Sequence, residues 1–271
     1  MLKVMLSLIL LFLVSCGQEK SHTEIILLSG QSESNLSLYF DKMQSFESKV
    51  FYERGHEPYV GTRINGKAYW DFFGRNISTL LRLEERSISF SYPKTLSEMT
   101  ELRAINKDSW TTQELISKFS ELPVIKNTEA LGAVNILFVG GLFKNNDGEL
   151  QNGVLGIYIS DTNNIVIFKD VVKEIEENQG IRVARFSEQS LLVHEVGHAM
   201  GLVENGVPAQ SDHHDKEHGS HCTNQDCVMH WLNEGATDMS NYVRRLILTG
   251  DENLFGQHCL EDAAQKIRSY Q

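Results

Sequence analysis

The chain has 271 residues, with 25 basic residues against 36 acidic ones and a formal net charge of -11. This acidic balance argues against a protein that binds nucleic acid through a basic surface, so no nucleic-acid partner is expected. With 41% hydrophobic residues and no repeat of fixed period, the sequence is typical of a globular chain rather than of a disordered or repeat protein.

The first residues are typical of an export signal. A lysine at position 3 precedes an apolar run over 4–14, which is too short to span a bilayer as a permanent helix. The run ends in Leu13-Val14-Ser15-Cys16, which resembles the lipobox of bacterial lipoproteins, where cleavage precedes a cysteine that carries lipid. The resemblance implies a signal peptide over 1–15, lipidation of Cys16 and a bacterial cell-envelope lipoprotein held at the outer membrane. An ordinary secretory signal with a chance cysteine is the alternative.

The segment after the lipobox has no clear periodicity. Residues 16–45 are therefore expected to form a lipid-anchored tether or a short propeptide-like segment. They contain no cysteine after Cys16, so a thiol in this segment cannot block a metal site. The globular domain is expected over 46–271.

From residue 46 onward, strand-like and helix-like stretches alternate. Strands are expected over 48–52, 87–92, 133–139, 153–159 and 165–168. Helices are expected over 70–83, 111–122, about 187–200, 241–249 and 261–269. The helix near 187–200 carries apolar residues on one face and is expected to be amphipathic. This order predicts an α+β fold in which helices pack on a mixed five-stranded sheet.

The helix near 187–200 contains the motif His194-Glu195-Val196-Gly197-His198. Histidines four residues apart lie on one face of a helix, so the two imidazoles can bind a single Zn²⁺. Glu195, beside the first histidine, is placed to act as general base on a water that the metal activates. The motif predicts a zinc-dependent hydrolase, and a chance arrangement of surface residues is the alternative.

A catalytic zinc site usually has three protein ligands, and the residues alone leave the third one open. The chain downstream of the helix is rich in candidate side chains, which are Asp212, His213, His214, Asp215, Glu217, His218 and His221. A histidine-rich surface loop that binds nothing is the simpler interpretation of most of them.

The motif and its continuation resemble the metzincin metallopeptidases, whose signature is H-E-x-x-H-x-x-G-x-x-H. Gly201 matches the glycine of that signature, but Glu204 stands where the third histidine would be. Further on, the segment 221–229 resembles H-C-x4-C-x-M of the archaemetzincins. The resemblance implies that His221 is the third zinc ligand, with His213 as the alternative. It also implies that residues 205–220 are an insertion and that Met229 forms the Met-turn beneath the metal.

The same resemblance implies a metzincin-like zincin fold. The active-site helix would end an N-terminal subdomain over 46–201, and residues 202–271 would form a small helical C-terminal subdomain. The strand at 153–159 would be the edge strand to which an extended peptide adds as an antiparallel neighbour. A plain sheet edge is the alternative.

The cysteines depart from the archaemetzincin pattern. That family holds a second zinc with four cysteines, whereas this chain has Cys222, Cys227 and Cys259 besides Cys16. Export permits a disulfide between two of the three. A second metal site of three cysteines and a histidine such as His258 is the other possibility.

Taken together, the motif and the resemblance predict a lipid-anchored zinc endopeptidase. Its partners would be a peptide or protein substrate and the membrane that receives the lipid. The alternative function is a non-catalytic zinc-binding surface lipoprotein, which would not need Glu195.

Overall fold

The computed structural model describes residues 31–63 and 66–271. The expected signal peptide and the lipidation site at Cys16 lie outside these residues, so both stay predictions. Within the described part of the chain, no helix combines the length and the apolar character needed to cross a bilayer.

The described residues form eleven strands and seven α-helices. The strands are β1 (Ser45–Glu53), β2 (Ser89–Ser91), β3 (Thr100–Leu102), β4 (Ser109–Trp110), β5 (Leu131–Val139), β6 (Leu142–Lys144), β7 (Leu150–Gln151), β8 (Gly156–Ile159), β9 (Asn164–Phe168), β10 (His214–Asp215) and β11 (His221–Cys222). The α-helices are α1 (Glu33–Ser37), α2 (Trp70–Leu81), α3 (Thr112–Ser120), α4 (Lys169–Gln179), α5 (Ile181–Ala199), α6 (Ala236–Thr249) and α7 (Gln257–Arg268). A π-helical turn covers Leu38–Lys42, and 3-10 turns cover Leu83–Glu85, Leu96–Glu98 and Trp231–Glu234.

The main sheet is mixed, as expected, and the chain has an α+β fold. Its strands follow the order β2-β1-β5-β9-β8, and all neighbours are parallel except β8, which runs antiparallel to β9. The short strand β3 also pairs with β1. It pairs with the end of β1 at 51–53, whereas β2 pairs with the beginning at 45–47. The sheet therefore has six strands instead of the five expected, because a strand of three residues is too short to show a hydrophobic period.

The centre of the sheet is buried on both faces. Every residue of β5 after Leu131 is buried, and β9 is buried after Asn164. Parallel strands that are covered on both faces have nearly continuous apolar sequences, and these two strands show that pattern. Helix α5 packs against β8 and β9 on one side and against α2, α4 and α6 on the others.

Helix α5 is longer and more deeply buried than expected. It begins at Ile181 instead of near Ser187, and every residue from Phe186 to Ala199 is buried. It is therefore not an amphipathic surface helix, because it packs against the sheet and against the helices α2, α4 and α6. Polar side chains on this helix enter the interior with the apolar ones.

Helix α4 was not expected from the sequence. It follows β9 without a loop, and its N-cap residue Phe168 provides no side-chain hydrogen bond, so the usual start signal is missing. Gly180, with a φ of 89°, separates it from α5. This left-handed conformation suits glycine and lets two helices follow each other directly.

The described part of the expected tether is folded into the domain. Residues 33–42 form α1 and the π-helical turn, and their apolar side chains Leu36, Tyr39 and Phe40 are buried. A Cβ added at Gly201, two residues after α5, would come within 2.8 Å of the Leu36 side chain. The apolar side chains of residues 31–45 thus pack into the core, which the weak periodicity of this short segment did not indicate.

Candidate metal centre

The two motif histidines lie on one face of α5, as their spacing requires. Their ring centroids are 4.6 Å apart, and Nε2 of His194 lies 3.0 Å from Nε2 of His198. Both side chains are buried. The helix therefore directs two imidazole nitrogens at one point in the interior.

His221 reaches the same point from the segment beyond the helix. The strands β10 and β11 form a small antiparallel hairpin in which Asp215 is paired with His221. The His221 ring lies 5.3 Å from that of His194 and 4.9 Å from that of His198, centroid to centroid. The stretch 205–220 thus forms a loop and one strand of a hairpin, which returns the chain to α5.

Backbone carbonyls orient two of the three rings. Nδ1 of His194 donates to the Val228 carbonyl at 2.7 Å, and Nδ1 of His221 donates to the His218 carbonyl at 2.5 Å. A carbonyl only accepts, so the neutral rings carry their proton on Nδ1. Their Nε2 lone pairs then face the common point, which is the arrangement that metal-binding histidines use.

A carboxylate completes this cluster. Oε1 of Glu234 lies 3.0 Å from Nε2 of His221, 3.7 Å from that of His194 and 3.9 Å from that of His198. Although burial alone would raise the pKa of Glu234, His221 and His194 lower it below its ordinary value. Sequence reasoning missed this residue, because an isolated glutamate outside any motif has no spacing signal.

Glu195 lies in the interior beside this cluster. Burial raises its pKa well above the ordinary value, and the charge of Glu234 raises it further. The backbone of Tyr158, in the edge strand β8, opposes that rise in the pKa. Helix α5, which carries Glu195, packs against β8.

The electrostatics of the histidines follow from their crowding. Burial lowers the pKa of His198 well below its ordinary value, and His194 and His221 lower it further. Burial would also lower the pKa of His221, but the neighbouring Glu234 raises it overall. A neutral imidazole is the form that binds a metal, and His198 is held in that form.

The donor set fits a metal ion. One ligand atom from each of His194, His198, His221 and Glu234 lies within 4.8 Å of all the others. Several polar atoms here are buried and have no hydrogen-bond partner, namely Glu195 Oε1, His198 Nδ1 and Glu234 Oε2. Buried polar atoms without partners are rare in folded proteins and call for an explanation such as a bound ion or water.

Met229 lies directly under α5 at the motif. A Cβ added at Gly197 would come within 2.4 Å of Met229 Sδ, so the glycine allows this close contact. Met229 is fully buried, and the residue before it, Val228, accepts the hydrogen bond from His194. The structure thus places the segment 228–229 beneath the histidine cluster.

The three described cysteines form a second buried cluster. Cys227 Sγ lies 3.6 Å from Cys259 Sγ, and all three cysteines are free thiols. The thiols of Cys227 and Cys259 hold the pKa of Cys222 below its usual value, and Cys222 in turn holds the pKa of both of them above theirs.

The histidine in this second cluster is His213. Its Nδ1 lies 3.3 Å from Cys222 Sγ, and one ligand atom from each of His213, Cys222 and Cys259 lies within 4.8 Å of the other two. Its Nε2 contacts the buried carboxylate of Asp262 at 2.6 Å. A carboxylate that orients a histidine is a common feature around bound metals. The structure therefore groups His213 with the cysteines, and not with His194 and His198.

The remaining candidates from the sequence lie elsewhere. His258, considered above as a partner of the cysteines, stacks on His213 at 5.4 Å but is half exposed, and its Nδ1 contacts Ser211. Glu204 is exposed, and its carboxylate accepts from the Ala209 N–H. None of them joins either cluster of the described residues.

The polar residues of the loop before His221 contact their neighbours within the loop and nearby. His214 contacts the Gly219 carbonyl, and Asp215 pairs with His218. The His218 ring stacks on Trp231 with centroids 3.9 Å apart. Asp212 and Glu217 are exposed. These residues shape the loop that carries His221.

A comparison with models of protein families gives no match to this chain, and a comparison with curated protein sequences gives no significant match either.

Proposed function

We propose that this chain is a zinc-dependent endopeptidase with an archaemetzincin-like active site. The observation that carries the proposal is the convergence of His194, His198 and His221 beside the buried carboxylate of Glu195. Three imidazoles suit zinc, and three-histidine sites are used for hydrolytic zinc. The carbonyl hydrogen bonds that orient His194 and His221 give further support.

The proposed roles follow from the chemistry of each group. Zinc, when bound, supplies a Lewis acid that activates water and polarises the carbonyl under attack. Glu195 accepts the proton of that water and passes it to the leaving amine. Its position next to His194 on the same helix suits a group that must both take and give a proton.

A peptide is the proposed substrate because of the position of β8. This strand lies at one end of the main sheet, antiparallel to its neighbour, and packs against the helix that carries Glu195. An extended peptide that adds to a sheet edge is held by main-chain hydrogen bonds. A peptide along β8 would bring its carbonyl groups close to the general base.

We further propose that the cysteine cluster holds a structural zinc. The ligands would be Cys222, Cys259 and His213, with Asp262 orienting the histidine. Cys227, whose Sγ lies 3.6 Å from that of Cys259, would be the fourth. Three sulfurs and one imidazole form a closed site of the kind that stabilises a fold. The backbone N–H groups of Asn224 and Gly256 donate to two of the sulfurs, which suits thiolates. The expected lipid on Cys16 would tether both sites to the cell envelope.

The test is the variant Glu195→Gln, compared with the wild-type chain and with Glu217→Gln as a control at an exposed glutamate. We expect Glu195→Gln to retain its metal content and to lose hydrolysis of an unstructured protein by at least about 100-fold, the contribution typical of a general base. Glu217→Gln should behave as the wild type. Full activity of Glu195→Gln would overturn the proposed mechanism. A metal-loaded wild type without any hydrolysis would favour the non-catalytic zinc-binding alternative.

A further inference from the structure

The carboxylate of Glu234 faces the Nε2 atoms of all three clustered histidines. The one proton of neutral His221 lies on Nδ1, where it is donated to the His218 carbonyl, and that of His194 is donated to Val228 in the same way. Oε1 of Glu234 nevertheless lies 3.0 Å from Nε2 of His221 and 3.7 Å from that of His194. A carboxylate oxygen and a nitrogen lone pair at such distances repel each other unless positive charge lies between them.

A metal ion accounts for the whole arrangement better than a proton does. One extra proton on His221 would satisfy a single contact, whereas an ion between the four side chains would satisfy all of them. Donor atoms around a tetrahedral zinc, each about 2.0–2.1 Å from the metal, lie about 3.3 Å from one another. Here Nε2 of His194 lies 3.0 Å from that of His198, and Oε1 of Glu234 lies 3.0 to 3.9 Å from the three Nε2 atoms. All four donors lie within 4.8 Å of one another, which is close enough for one ion to contact all of them.

We propose that Glu234 is a fourth protein ligand that closes the zinc site at rest and must withdraw before hydrolysis. This inference rests on the proposed zinc-peptidase function. A closed site of four protein ligands has no free position for water, whereas catalytic zinc sites keep one open. Glu234 is thus a positioning residue that controls access to the metal, while Glu195 remains the general base.

The main chain around Glu234 connects this ligand to the edge strand. The Glu234 carbonyl accepts from the Leu155 N–H at 3.3 Å, and Gly235 forms a bridge with Val154. The Ala236 N–H donates to the Gly153 carbonyl at 3.2 Å. Residues 153–155 lead directly into β8. A peptide that adds along β8 therefore binds next to the segment that carries Glu234 and can displace it. Substrate binding is therefore the event that opens the site.

The experiment compares cobalt-loaded wild type with Glu234→Ala, with Glu234→Gln as a variant of unchanged side-chain size, and with Glu217→Gln as the control. Three readings are taken, namely the visible absorption of cobalt, the zinc affinity by chelator competition, and the affinity for azide. Loss of a ligand should shift the cobalt absorption and weaken zinc binding by at least about tenfold. Azide should bind about tenfold more tightly if the open state of the wild type is populated at about one part in ten.

The outcomes separate this inference from the proposed function. A wild-type chain that takes up no cobalt at the histidine cluster would overturn the proposed function and the inference with it. A wild type that binds cobalt and hydrolyses protein, with both Glu234 variants unchanged in absorption, zinc affinity and azide affinity, would overturn the inference alone. If Glu234→Ala does not fold, Glu234→Gln decides by the same three readings. The control Glu217→Gln should match the wild type throughout.

Discussion

His221 and Cys222 are adjacent in the chain, and their side chains enter different clusters. Nε2 of His221 lies 3.0 Å from Glu234 in the histidine cluster, while Sγ of Cys222 lies 3.3 Å from His213 in the cysteine cluster. Successive side chains of a strand point to opposite faces, so the two-residue strand β11 separates the two clusters. The position of one cluster therefore constrains the position of the other.

This adjacency predicts that loss of the cysteine site weakens the active site. The variant Cys259→Ser removes a ligand on α7 that is distant in sequence from His221. We expect the chain to lose the structural metal and to bind zinc at the histidine cluster at least about tenfold more weakly, as for other changes that disturb ligand orientation. Metal content by mass spectrometry and zinc competition check the result.

The control for that variant is His258→Ala, which removes a half-exposed ring next to His213. It should keep two metal ions per chain. If Cys259→Ser also keeps two, the cysteine cluster is not a metal site.

A second prediction separates the two histidines that the sequence left as competing ligands. His221→Ala should abolish hydrolysis and remove metal from the histidine cluster, but leave the cysteine site loaded. His213→Ala should first remove metal from the cysteine site. Cobalt distinguishes the sites, because thiolate ligands add intense near-ultraviolet absorption that imidazole and carboxylate ligands lack. Loss of the thiolate bands in His221→Ala, with the histidine-site absorption retained, would contradict this assignment.

A third prediction concerns the contact beneath the active-site helix. Alanine is favoured over glycine by about 1 kcal/mol in a helix interior. At Gly197, however, a Cβ would come within 2.4 Å of Met229 Sδ. We expect Gly197→Ala to lower the free energy of unfolding by about 1–3 kcal/mol, as for other overpacked cores. Denaturant unfolding measures the change.

The double variant Gly197→Ala/Met229→Ala provides the control for this contact. Met229→Ala alone should destabilise the chain by about 2–5 kcal/mol, because it leaves a cavity. The double variant should be more stable than the sum of the single changes indicates, since the alanine methyl then has room. Strict additivity would show that the two residues do not touch.

A fourth prediction concerns the ion pair that anchors α5. The Lys169 ammonium pairs with Glu188, and both side chains are buried. The other carboxylate oxygen of Glu188 accepts from the Tyr59 N–H at 2.7 Å. Glu188→Ala leaves a buried, unpaired ammonium, so we expect it to lower the free energy of unfolding by about 3–5 kcal/mol.

The matched comparison for this pair is Lys169→Met/Glu188→Leu. Replacing both charges by apolar side chains should cost less than Glu188→Ala, because no charge is left unpaired. Chemical denaturation of the metal-loaded protein compares the two variants. Both variants lose the hydrogen bond from the Tyr59 N–H. A double variant that is less stable than Glu188→Ala would therefore show that the unpaired ammonium is not the main cost.

Much of the central fold could be predicted because its signals are local. The apolar run at 133–139 lies within β5, and the helical spacing from Trp70 lies within α2. The helix α4 escaped prediction, since a charged sequence after a strand shows neither a cap nor a loop. The complete burial of α5 was not predicted either, because it depends on contacts with elements that are distant in the sequence.

The candidate site divides in the same way. The sequence by itself determined that His194 and His198 share a helical face and that Glu195 lies beside them, because a helical turn is set by hydrogen bonds between near neighbours. Only the tertiary structure decided that His221 and Glu234 join them and that His213 goes to the cysteines. Those groupings depend on how the β10–β11 hairpin, the 3-10 turn and α7 pack around α5. Packing between distant segments follows from the shape of the whole core, which no local spacing encodes.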